Sequence, residues 1–359
     1  MSLELRNVSF RAADGTYIYP TDVVLESGAF NILLGTTLAG KTTLMQLMAG
    51  LLKPAEGEVW FDGRNVTGVP VQKRNVSMVY QQFINYPNMS VFENIASPLR
   101  VARLSRAEIE DRVGRMAELM KLTAMLGRKP SELSGGQQQR TAMARALVKD
   151  ASLVLLDEPL ANLDFKLREE LRDELPKMFA DRECTVVYAT TEPSEALLLG
   201  GFTAAMHEGR IVEFGASGEI YRKPKHLLTA RVFSEPPINA VEVTKAGDEF
   251  ILSEQVRWRA NGATAHLGDG HYMIGIRPHH VAPTNAGQAN VQLEGRVLIT
   301  ELSGSESVIH FDHAGQTWVS QAHGIHAAEV GETAVFHFSA EQCLYFAPDG
   351  SRIDVEAGS

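Results

Sequence analysis

A glycine-rich loop near the amino terminus has the residue types that hold a chain of phosphates. The segment GTTLAGKTT follows the apolar run FNILL and opens a helical pattern. Glycines at 35 and 40 let the backbone turn so that successive N–H groups point at phosphate oxygens, and the helix N-terminus adds its positive end. Lys41 adds a cation, and the Thr42 hydroxyl can ligate Mg²⁺. The residues predicted to bind phosphate are Gly35, Thr36, Thr37, Ala39, Gly40, Lys41, Thr42 and Thr43.

Two adjacent carboxylates follow a second apolar run, in LVLLDEP. Asp157 ends the predicted buried strand, where it can hold Mg²⁺ directly or through water. Glu158 comes next, and a carboxylate there can orient and deprotonate an attacking water. The pair could instead only cap the following helix. Beside a phosphate loop we expect Asp157 to be a metal ligand and Glu158 the general base.

A second anion site is predicted in LSGGQQQR. Ser134, Gly135, Gly136 and Gln137 begin a helix, so a hydroxyl, bare backbone and the positive helix end come together. The chain already has one phosphate loop. Two anion sites on one domain imply that nucleotides are shared between two such domains.

Taken together, these motifs resemble the nucleotide-binding subunits of ABC transporters, and the resemblance spans the whole chain. In that family the LSGGQ signature covers the γ-phosphate held by the P-loop of the opposite subunit. The resemblance implies that Gln81, in YQQFINYP, senses Mg²⁺ and the attacking water, and that Asp164, in LANLD, is the D-loop aspartate. It further implies ATP and Mg²⁺ as cofactors, with Thr42, Gln81 and Asp157 around the metal.

One position departs from the family pattern in a way that bears on catalysis. Where relatives have a histidine that donates to the γ-phosphate, this chain has Thr191, in YATTEP. A threonine hydroxyl can donate a hydrogen bond, but it is shorter and is never cationic. Loss of one preorganised donor slows such chemistry by roughly 100- to 1000-fold, or about 3 to 4 kcal/mol. The replacement predicts an impaired site, unless a water or Thr190 substitutes.

The aromatic residue that stacks on adenine is also displaced, since the matching position is Ala12. We expect Tyr17 to cover the base, ahead of Phe10 or Tyr19, although Tyr17 could equally be an ordinary strand residue. The phosphate loop is unusual too, because Leu38 stands where relatives more often have a small residue.

Buried runs that alternate with helical patterns place these motifs on a parallel α/β sheet. The runs FNILL, LVLLD and CTVVYAT read as strands buried on both faces, and LDFKLREELRDELPKMF reads as an amphipathic helix. Residues 83–150 turn helical, with Ile109, Val113, Met116 and Met120 at helical spacing. We interpret that stretch as a helical subdomain.

The chain changes character near residue 235, where FSEPPIN interrupts regular structure. We therefore predict a nucleotide-binding domain over 1–235 and a β domain over 236–359. GIRPHHV and ELSGSESVIHF are similar to the C-terminal regulatory domain of maltose and glycerol-phosphate importer ATPases, which implies a small oligonucleotide-binding-type barrel. His279 and His280 are expected to be solvated loop residues, with a metal site or a pH sensor as the alternative.

Composition excludes several other classes of protein. A net charge of −10 argues against a nucleic-acid partner, because phosphate backbones require a surplus of Lys and Arg. The two cysteines, Cys184 and Cys343, fit a reducing compartment. We expect neither a secretion signal at the start of the chain nor a membrane span, since no apolar run is long enough.

The resemblance implies an importer ATPase, peripheral on the cytoplasmic face of the plasma (inner) membrane, that drives uptake of a polyol or sugar. GTTLAGKTT together with YATTEPSEALLLGG is similar to the ATPases of glycerol importers, which favours glycerol. The alternatives are a sugar or glycerol-phosphate importer ATPase, a soluble ABC ATPase outside transport, and a hydrolysis-silent subunit that binds a regulatory protein.

Several partners are implied in the same way. Two transmembrane permease subunits are expected to dock just after Gln81, on a surface that includes Phe83, Tyr86 and Pro87. A second ATPase subunit is expected, as a heterodimer in preference to a homodimer. A periplasmic or extracellular binding protein would act indirectly, and no nucleic acid is expected.

Overall fold

A computed structural model of the chain describes residues 2–161, 163–180, 182–261, 264–285, 287 and 289–353. By its internal contacts the chain forms two compact units, Met1–Ile220 and Tyr221–Ser359. The fold class is confirmed: an α/β unit that carries the phosphate loop is followed by a smaller all-β unit.

The first unit contains two sheets. Its strands are β1 (Leu3–Ala12), β2 (Gly15–Leu25), β3 (Phe30–Leu34), β4 (Glu56–Phe61), β5 (Arg64–Asn65), β6 (Val76–Val79), β7 (Leu153–Asp157), β8 (Thr185–Thr190), β9 (Phe202–His207) and β10 (Arg210–Ala216). The strand order of the larger sheet is β10-β9-β3-β8-β7-β6, and that of the smaller, antiparallel sheet is β2-β1-β4-β5. In β4, Trp60 lies beneath the Arg6 guanidinium, 4.1 Å from the ring centroid.

The helices of this unit lie between its strands in the chain. They are α1 (Lys41–Ala49), α2 (Val91–Val101), α3 (Arg106–Leu119), α4 (Gly135–Leu147), α5 (Phe165–Ala180) and α6 (Pro193–Leu199), while α7 (Ser217–Arg222) spans the junction of the two units. Short 3-10 turns lie at Val71–Lys73, Thr123–Met125 and Pro130–Glu132.

The middle strands of the larger sheet position the chemistry. Every residue of β3, β7 and β8 is buried, as expected for apolar runs that are covered on both faces. All three strands run parallel, with β8 between the other two. Their carboxyl ends therefore meet at one edge, and the loops that follow them form the candidate site.

The helical region between β6 and β7 has well-defined helix starts. Each of α2, α3 and α4 begins at a serine that accepts the backbone N–H three residues later, while the side chain at that third position accepts the serine N–H. These capping boxes are Ser90 with Glu93, Ser105 with Glu108, and Ser134 with Gln137. On α3, Ile109, Val113 and Met116 face the core.

The second unit is built from antiparallel strands. They are β11 (Asn239–Ala246), β12 (Glu249–Ile251), β13 (Arg257–Arg259), β14 (Gly270–Ile276), β15 (Val291–Leu302), β16 (Glu306–His313), β17 (Gln316–His323), β18 (Thr333–Phe338) and β19 (Leu344–Phe346), with one helix, α8 (Leu227–Val232), before them and 3-10 turns at Pro278–His280 and Ala340–Gln342. Their orders are β13-β12-β11-β14-β19 and β17-β16-β15-β18.

Aromatic side chains fill the core that these two sheets share. The rings of Phe311 and Phe336 stack with their centroids 3.7 Å apart. The Phe338 ring contacts both Trp318 and Trp258, at centroid distances of 6.0 and 5.8 Å. Both tryptophans are buried. Contacts between aromatic rings at several angles thus hold the unit's interior together.

The structure divides the chain at residue 220, earlier than the composition change near 235. Residues after Tyr221 contact the second unit: the Arg277 guanidinium, for example, lies 3.8 Å above the ring centroid of Tyr221 and donates to the Tyr221 carbonyl and the Ser234 hydroxyl. His280 differs from its expected solvation: it is half-buried, its ring contacts that of His279, and burial lowers its pKa to about 4.

Candidate functional site

The phosphate loop turns sharply between β3 and α1, and its two key glycines are required there. A side chain at Gly35 would place its Cβ 2.5 Å from the Met206 carbonyl oxygen, which leaves no room for any other residue. Gly40 has a φ of 96°, in the left-handed region that glycine adopts without strain. Leu38, at the tip, also has a left-handed φ of 70°, and its side chain is 95% exposed.

Lys41 is buried at the base of this loop. Its ammonium donates to the Gly35 and Thr36 carbonyls at 2.8 and 3.1 Å and lies 3.4 Å from a Glu158 carboxylate oxygen. Burial lowers the pKa of Lys41, and the two neighbouring carboxylates oppose that shift. The loop's own oxygens thus hold the cation beneath the backbone N–H groups.

Thr42 and Asp157 meet across the carboxyl ends of β3 and β7. The Thr42 hydroxyl donates to Asp157 Oδ2 at 2.8 Å. Asp157 is 1% exposed, burial raises its pKa, and its Oδ1 has no hydrogen-bond partner among the described residues. An orphaned buried carboxylate oxygen beside a hydroxyl suits a hard cation such as Mg²⁺. In the described part of the chain no three His, Cys, Asp or Glu side chains could hold a metal together, so phosphate and water would supply the remaining ligands.

Glu158 and Gln81 form the next contact outward. Gln81 Nε2 donates to Glu158 Oε2 at 2.9 Å, although 77 residues separate them in sequence. Glu158 has a left-handed φ of 45°, held by a hydrogen bond from its N–H to the Ala189 carbonyl. Non-glycine residues in this region carry strain that the surrounding structure must sustain. The structure therefore brings Lys41, Asp157, Glu158 and Gln81 into one connected cluster.

Thr191 is exposed just beyond the end of β8, and its neighbour Thr190 is buried. The Gly35 N–H donates to the Thr190 carbonyl, so this segment adjoins the phosphate loop. The Thr190 hydroxyl is already engaged: it donates to Glu195 at 2.7 Å and accepts from the Glu192 N–H at 3.0 Å. Thr190 could substitute for the missing histidine only by breaking this arrangement.

Tyr17 lies next to the phosphate loop through its backbone, and its role at the adenine stays a prediction. Its carbonyl oxygen would be 3.3 Å from a Cβ on Gly40, and its side chain is 43% exposed. The hydroxyl donates to Asp14 at 2.7 Å. Of the two alternatives, Tyr19 has the Arg210 guanidinium over its ring, and Phe10 packs edge-on against Tyr17.

In the part of the chain that the structure describes, two of the predicted site elements make their hydrogen bonds away from Lys41, Asp157, Glu158 and Gln81. The hydrogen bonds of Ser134 and Gln137 described above stay at the start of α4, and Gly135 and Gly136 form the rest of its first turn. No acidic residue lies in that turn, whereas α2 and α3 each have a glutamate there. Asp164 accepts from the Leu167 N–H and so caps the start of α5.

Sequence reasoning missed a polar network behind the cluster. Tyr188 and Thr190 both donate to the carboxylate of Glu195, which is 4% exposed, and Arg168 forms an ion pair with Glu192 at 2.8 Å. The one signal was the pair of glutamates, three residues apart, that flank the start of a short helix. Nothing local in the sequence linked them to Arg168.

Known families match both units. A model described as ABC transporter matches residues 20–161, and a model described as TOBE domain matches residues 274–346. The sn-glycerol-3-phosphate import ATP-binding protein UgpC of Cupriavidus metallidurans is 33% identical, over 99% of each chain. The trehalose/maltose import ATP-binding protein MalK of Thermococcus litoralis is 35% identical, over 85% of this chain and 86% of its own.

Solved structures resemble the first unit. A dimeric post-hydrolysis state of the ATP-binding cassette MJ0796, bound to ADP and Pi, has a TM-score of 0.55 and 27% identity, and the match covers 60% of this chain and 98% of that one. The cbiO1 protein of Clostridium perfringens, part of the ABC transporter complex cbiONQ, has a TM-score of 0.55 and 25% identity. The match covers 62% of this chain and 90% of that one.

Proposed function

The chain belongs to the ATP-hydrolysing subunits of ABC transporters, and we propose that it drives import of a polyol or sugar. One observation carries the catalytic part of this proposal: Lys41, Asp157, Glu158 and Gln81 meet at the carboxyl ends of parallel strands, on the loop that is suited to phosphates. The import-named relatives, which match over 99% and 85% of this chain, carry the transport part.

Each residue of the cluster has a definable task in hydrolysis. Lys41 offsets negative charge on the phosphates, and Thr42 with Asp157 would hold Mg²⁺, which supplies further charge stabilisation during phosphoryl transfer. Glu158 accepts the proton of the attacking water, and Gln81 orients the Glu158 carboxylate through its 2.9 Å hydrogen bond. The backbone contact to Ala189 fixes Glu158 in its strained conformation, so the base is in place before substrate arrives.

We propose that this subunit is half of an asymmetric pair. Thr191 provides a shorter, neutral donor at its own site, and Thr190 is committed to Glu195 and Glu192. The first turn of α4 has no acidic residue, which suits it to complete a nucleotide site on the opposite chain. A partner ATPase that retains the histidine would then supply one fully competent site.

The transport partners and location are further parts of the proposal. Two transmembrane permeases would dock on the segment after Gln81, where Tyr86 and Pro87 are exposed and Phe83 is half-buried. A periplasmic or extracellular binding protein would deliver substrate to those permeases. In the part of the chain that the structure covers, no helix is both long and apolar enough for a membrane span. The chain would bind peripherally at the cytoplasmic face of the plasma (inner) membrane.

Glycerol is our proposed substrate. The loop GTTLAGKTT and the switch segment YATTEPSEALLLGG support it, and the UgpC relative, named for sn-glycerol-3-phosphate, agrees at the level of polyol chemistry. A sugar or glycerol phosphate is the second candidate, favoured by the trehalose/maltose relative. Uptake of labelled glycerol, sn-glycerol-3-phosphate and maltose by cells with and without this chain separates these substrates.

The asymmetric pair is tested by reconstitution. The transporter is assembled with this subunit alone and with a candidate partner ATPase that retains the histidine, each with and without Thr191→His. We expect the mixed assembly to hydrolyse ATP faster, and Thr191→His to raise the rate of the single-subunit assembly. Full activity of the single-subunit assembly, unchanged by the histidine, would show that Thr191 is a tolerated substitute.

A further inference from the structure

Arg168, in the first turn of α5, holds two loops of the site at once. One guanidinium nitrogen donates to the Ala161 carbonyl at 3.0 Å, and another donates to the Glu192 carboxylate at 2.8 Å. Ala161 lies three residues after Glu158 and donates its N–H to the Glu158 carbonyl at 3.4 Å. Glu192 directly follows Thr191. The base and the switch residue are therefore each one short step from the same side chain.

The Glu192 end of this contact is anchored on its inner side. The Glu192 N–H donates to the Thr190 hydroxyl, which in turn donates to the buried Glu195 carboxylate. Tyr188, within β8, donates to the same Glu195 oxygen at 2.9 Å. The Glu192 backbone is thus tied to the core through the Thr190 hydroxyl, and the Glu192 side chain is tied to Arg168.

We propose that Arg168 is a positioning residue for ATP hydrolysis, which holds Thr191 in a defined place relative to Glu158. The proposal rests on the role of Thr191 given above. Arginine suits this task because its planar guanidinium presents several donors at fixed angles, so that one side chain can satisfy a carbonyl and a carboxylate that lie in different directions. A lysine has a single ammonium and could not hold both acceptors with the same geometry.

The exposure of the pair separates positioning from stabilisation. The side chains of Arg168 and Glu192 are 24% and 37% exposed. Ion pairs with this much access to water contribute little to folding, since solvent screens them. A large loss of turnover at an unchanged unfolding temperature would therefore reflect misplaced groups in the site and not a less stable protein. Misplacement of a catalytic group by about 1 Å can cost roughly 100-fold in rate.

The test compares Arg168→Gln in three backgrounds of the single-subunit assembly: unaltered, Thr191→His and Thr191→Ala. We expect Arg168→Gln to lower kcat by about tenfold or more in the first two backgrounds, with the KM for ATP within about twofold. In the Thr191→Ala background the loss of kcat should be clearly smaller than in the other two, because no donor remains at 191 and only the restraint on the loop after Glu158 is lost. Arg168→Lys should lie between Gln and the unaltered residue.

Arg172→Gln provides the matched control. It removes an arginine one turn further along α5, whose ion partner is Glu169 on the same helix. We expect its kcat to stay within about twofold of the unaltered chain in every background. An equal loss from Arg168→Gln in all three backgrounds, or no loss in any, would overturn the proposal. If Thr191→Ala alone leaves kcat unchanged, the proposed role of Thr191 fails, and the role of Arg168 fails with it.

Amide hydrogen exchange on the full-length chain gives a readout that does not depend on turnover. Arg168→Gln should speed exchange in both residues 159–164 and residues 190–192, since it releases both loops. Arg172→Gln should speed exchange in neither segment. Faster exchange in only one segment, or in neither, would contradict the joint restraint on which the proposal depends.

Discussion

Glu158 combines an uncommon backbone conformation with the central chemical task of the proposed mechanism. Glu158→Gln keeps the shape of the side chain and can still accept the hydrogen bond from Gln81, but an amide cannot take a proton from water. We expect hydrolysis in the single-subunit assembly to fall by at least about 100-fold, with ATP still bound. Phosphate release and nucleotide retention on the same sample measure both effects.

Glu208→Gln is the control for this substitution. Glu208 shares the left-handed φ of 45°, but its side chain is 83% exposed in a turn. Its replacement should leave hydrolysis unchanged. An undiminished rate for Glu158→Gln would mean that another group accepts the proton.

A second prediction at the residue scale concerns the contribution of Lys41 to nucleotide binding. Lys41→Ala removes the cation that the loop carbonyls hold at 2.8 and 3.1 Å, so binding of Mg-ATP should weaken at least several-fold by calorimetry. Lys149→Ala is the control for it, because Lys149 is partly buried and, like Lys41, donates to a backbone carbonyl, that of Val76. Equal affinities of Lys41→Ala and the unaltered protein would show that the loop does not bind phosphate through this residue.

At the scale of elements, the three capped helices differ in one informative way. The capping boxes of α2 and α3 use Glu93 and Glu108, but that of α4 uses the neutral Gln137. A carboxylate at this position would complement the helix dipole better by a few tenths of a kcal/mol. It would also occupy, with like charge, the place where a triphosphate is expected. The helix start of α4 thus gives up a small stabilisation and stays open to anions.

We therefore expect Gln137→Glu to leave thermal stability equal or slightly higher while ATP hydrolysis falls by at least about tenfold. The reverse exchange in α2, Glu93→Gln, should lower stability slightly and leave hydrolysis unchanged. Differential scanning calorimetry and steady-state ATPase assays measure the two properties. Normal hydrolysis by Gln137→Glu would show that α4 does not face a nucleotide.

The short helix α6 contributes a pH-dependent term to folding. Burial raises the pKa of Glu195 above its unfolded value, even though Tyr188 and Thr190 donate to it. A raised folded pKa favours the fold at low pH, and that contribution is lost as pH rises through the folded pKa. Glu195→Gln keeps an acceptor without the charge. The unfolding free energy of Glu195→Gln, relative to that of the unaltered chain, should increase as pH rises from about 4 towards neutral.

Urea unfolding at several pH values measures that gain, and Glu118→Gln, an exposed position on α3, serves as the control. A constant difference between Glu195→Gln and the unaltered chain across this range would show that Glu195 does not titrate differently in the folded state.

At the scale of the whole molecule, the two compact units should respond differently to nucleotide. All the predicted site residues lie within the first unit, Met1–Ile220. A free ligand concentration of about 100 times the dissociation constant stabilises the unit that binds the ligand by about 2.7 kcal/mol. We expect Mg-ATP to raise the unfolding transition of the first unit and to leave that of the second in place. A single transition that moves as one would show that the units unfold together.

The sequence was informative wherever the determinant is local. The parallel sheet and the phosphate loop follow from apolar runs that end in glycine or carboxylate within a few residues, and the α/β and all-β classes are confirmed. Contacts between residues far apart in the chain could not be predicted from the sequence. Arg277 donates to the Tyr221 carbonyl, 56 residues earlier, and the ion pair of Arg168 with Glu192 joins residues 24 apart. The site roles themselves stay predictions, although the structure places Gln81 and Lys41 against Glu158, and Thr42 against Asp157.

The distribution of tryptophans makes the protein its own optical reporter. The sequence has three, of which Trp60 is in the first unit and Trp258 and Trp318 are in the second. The two in the second unit are locked among aromatic rings, so they should dominate the near-ultraviolet circular dichroism and resist quenching by acrylamide. Trp60 is half-buried beneath Arg6, where a quencher can reach it. A single Trp60→Phe variant would therefore make the emission of the chain specific to its C-terminal unit, without any attached dye.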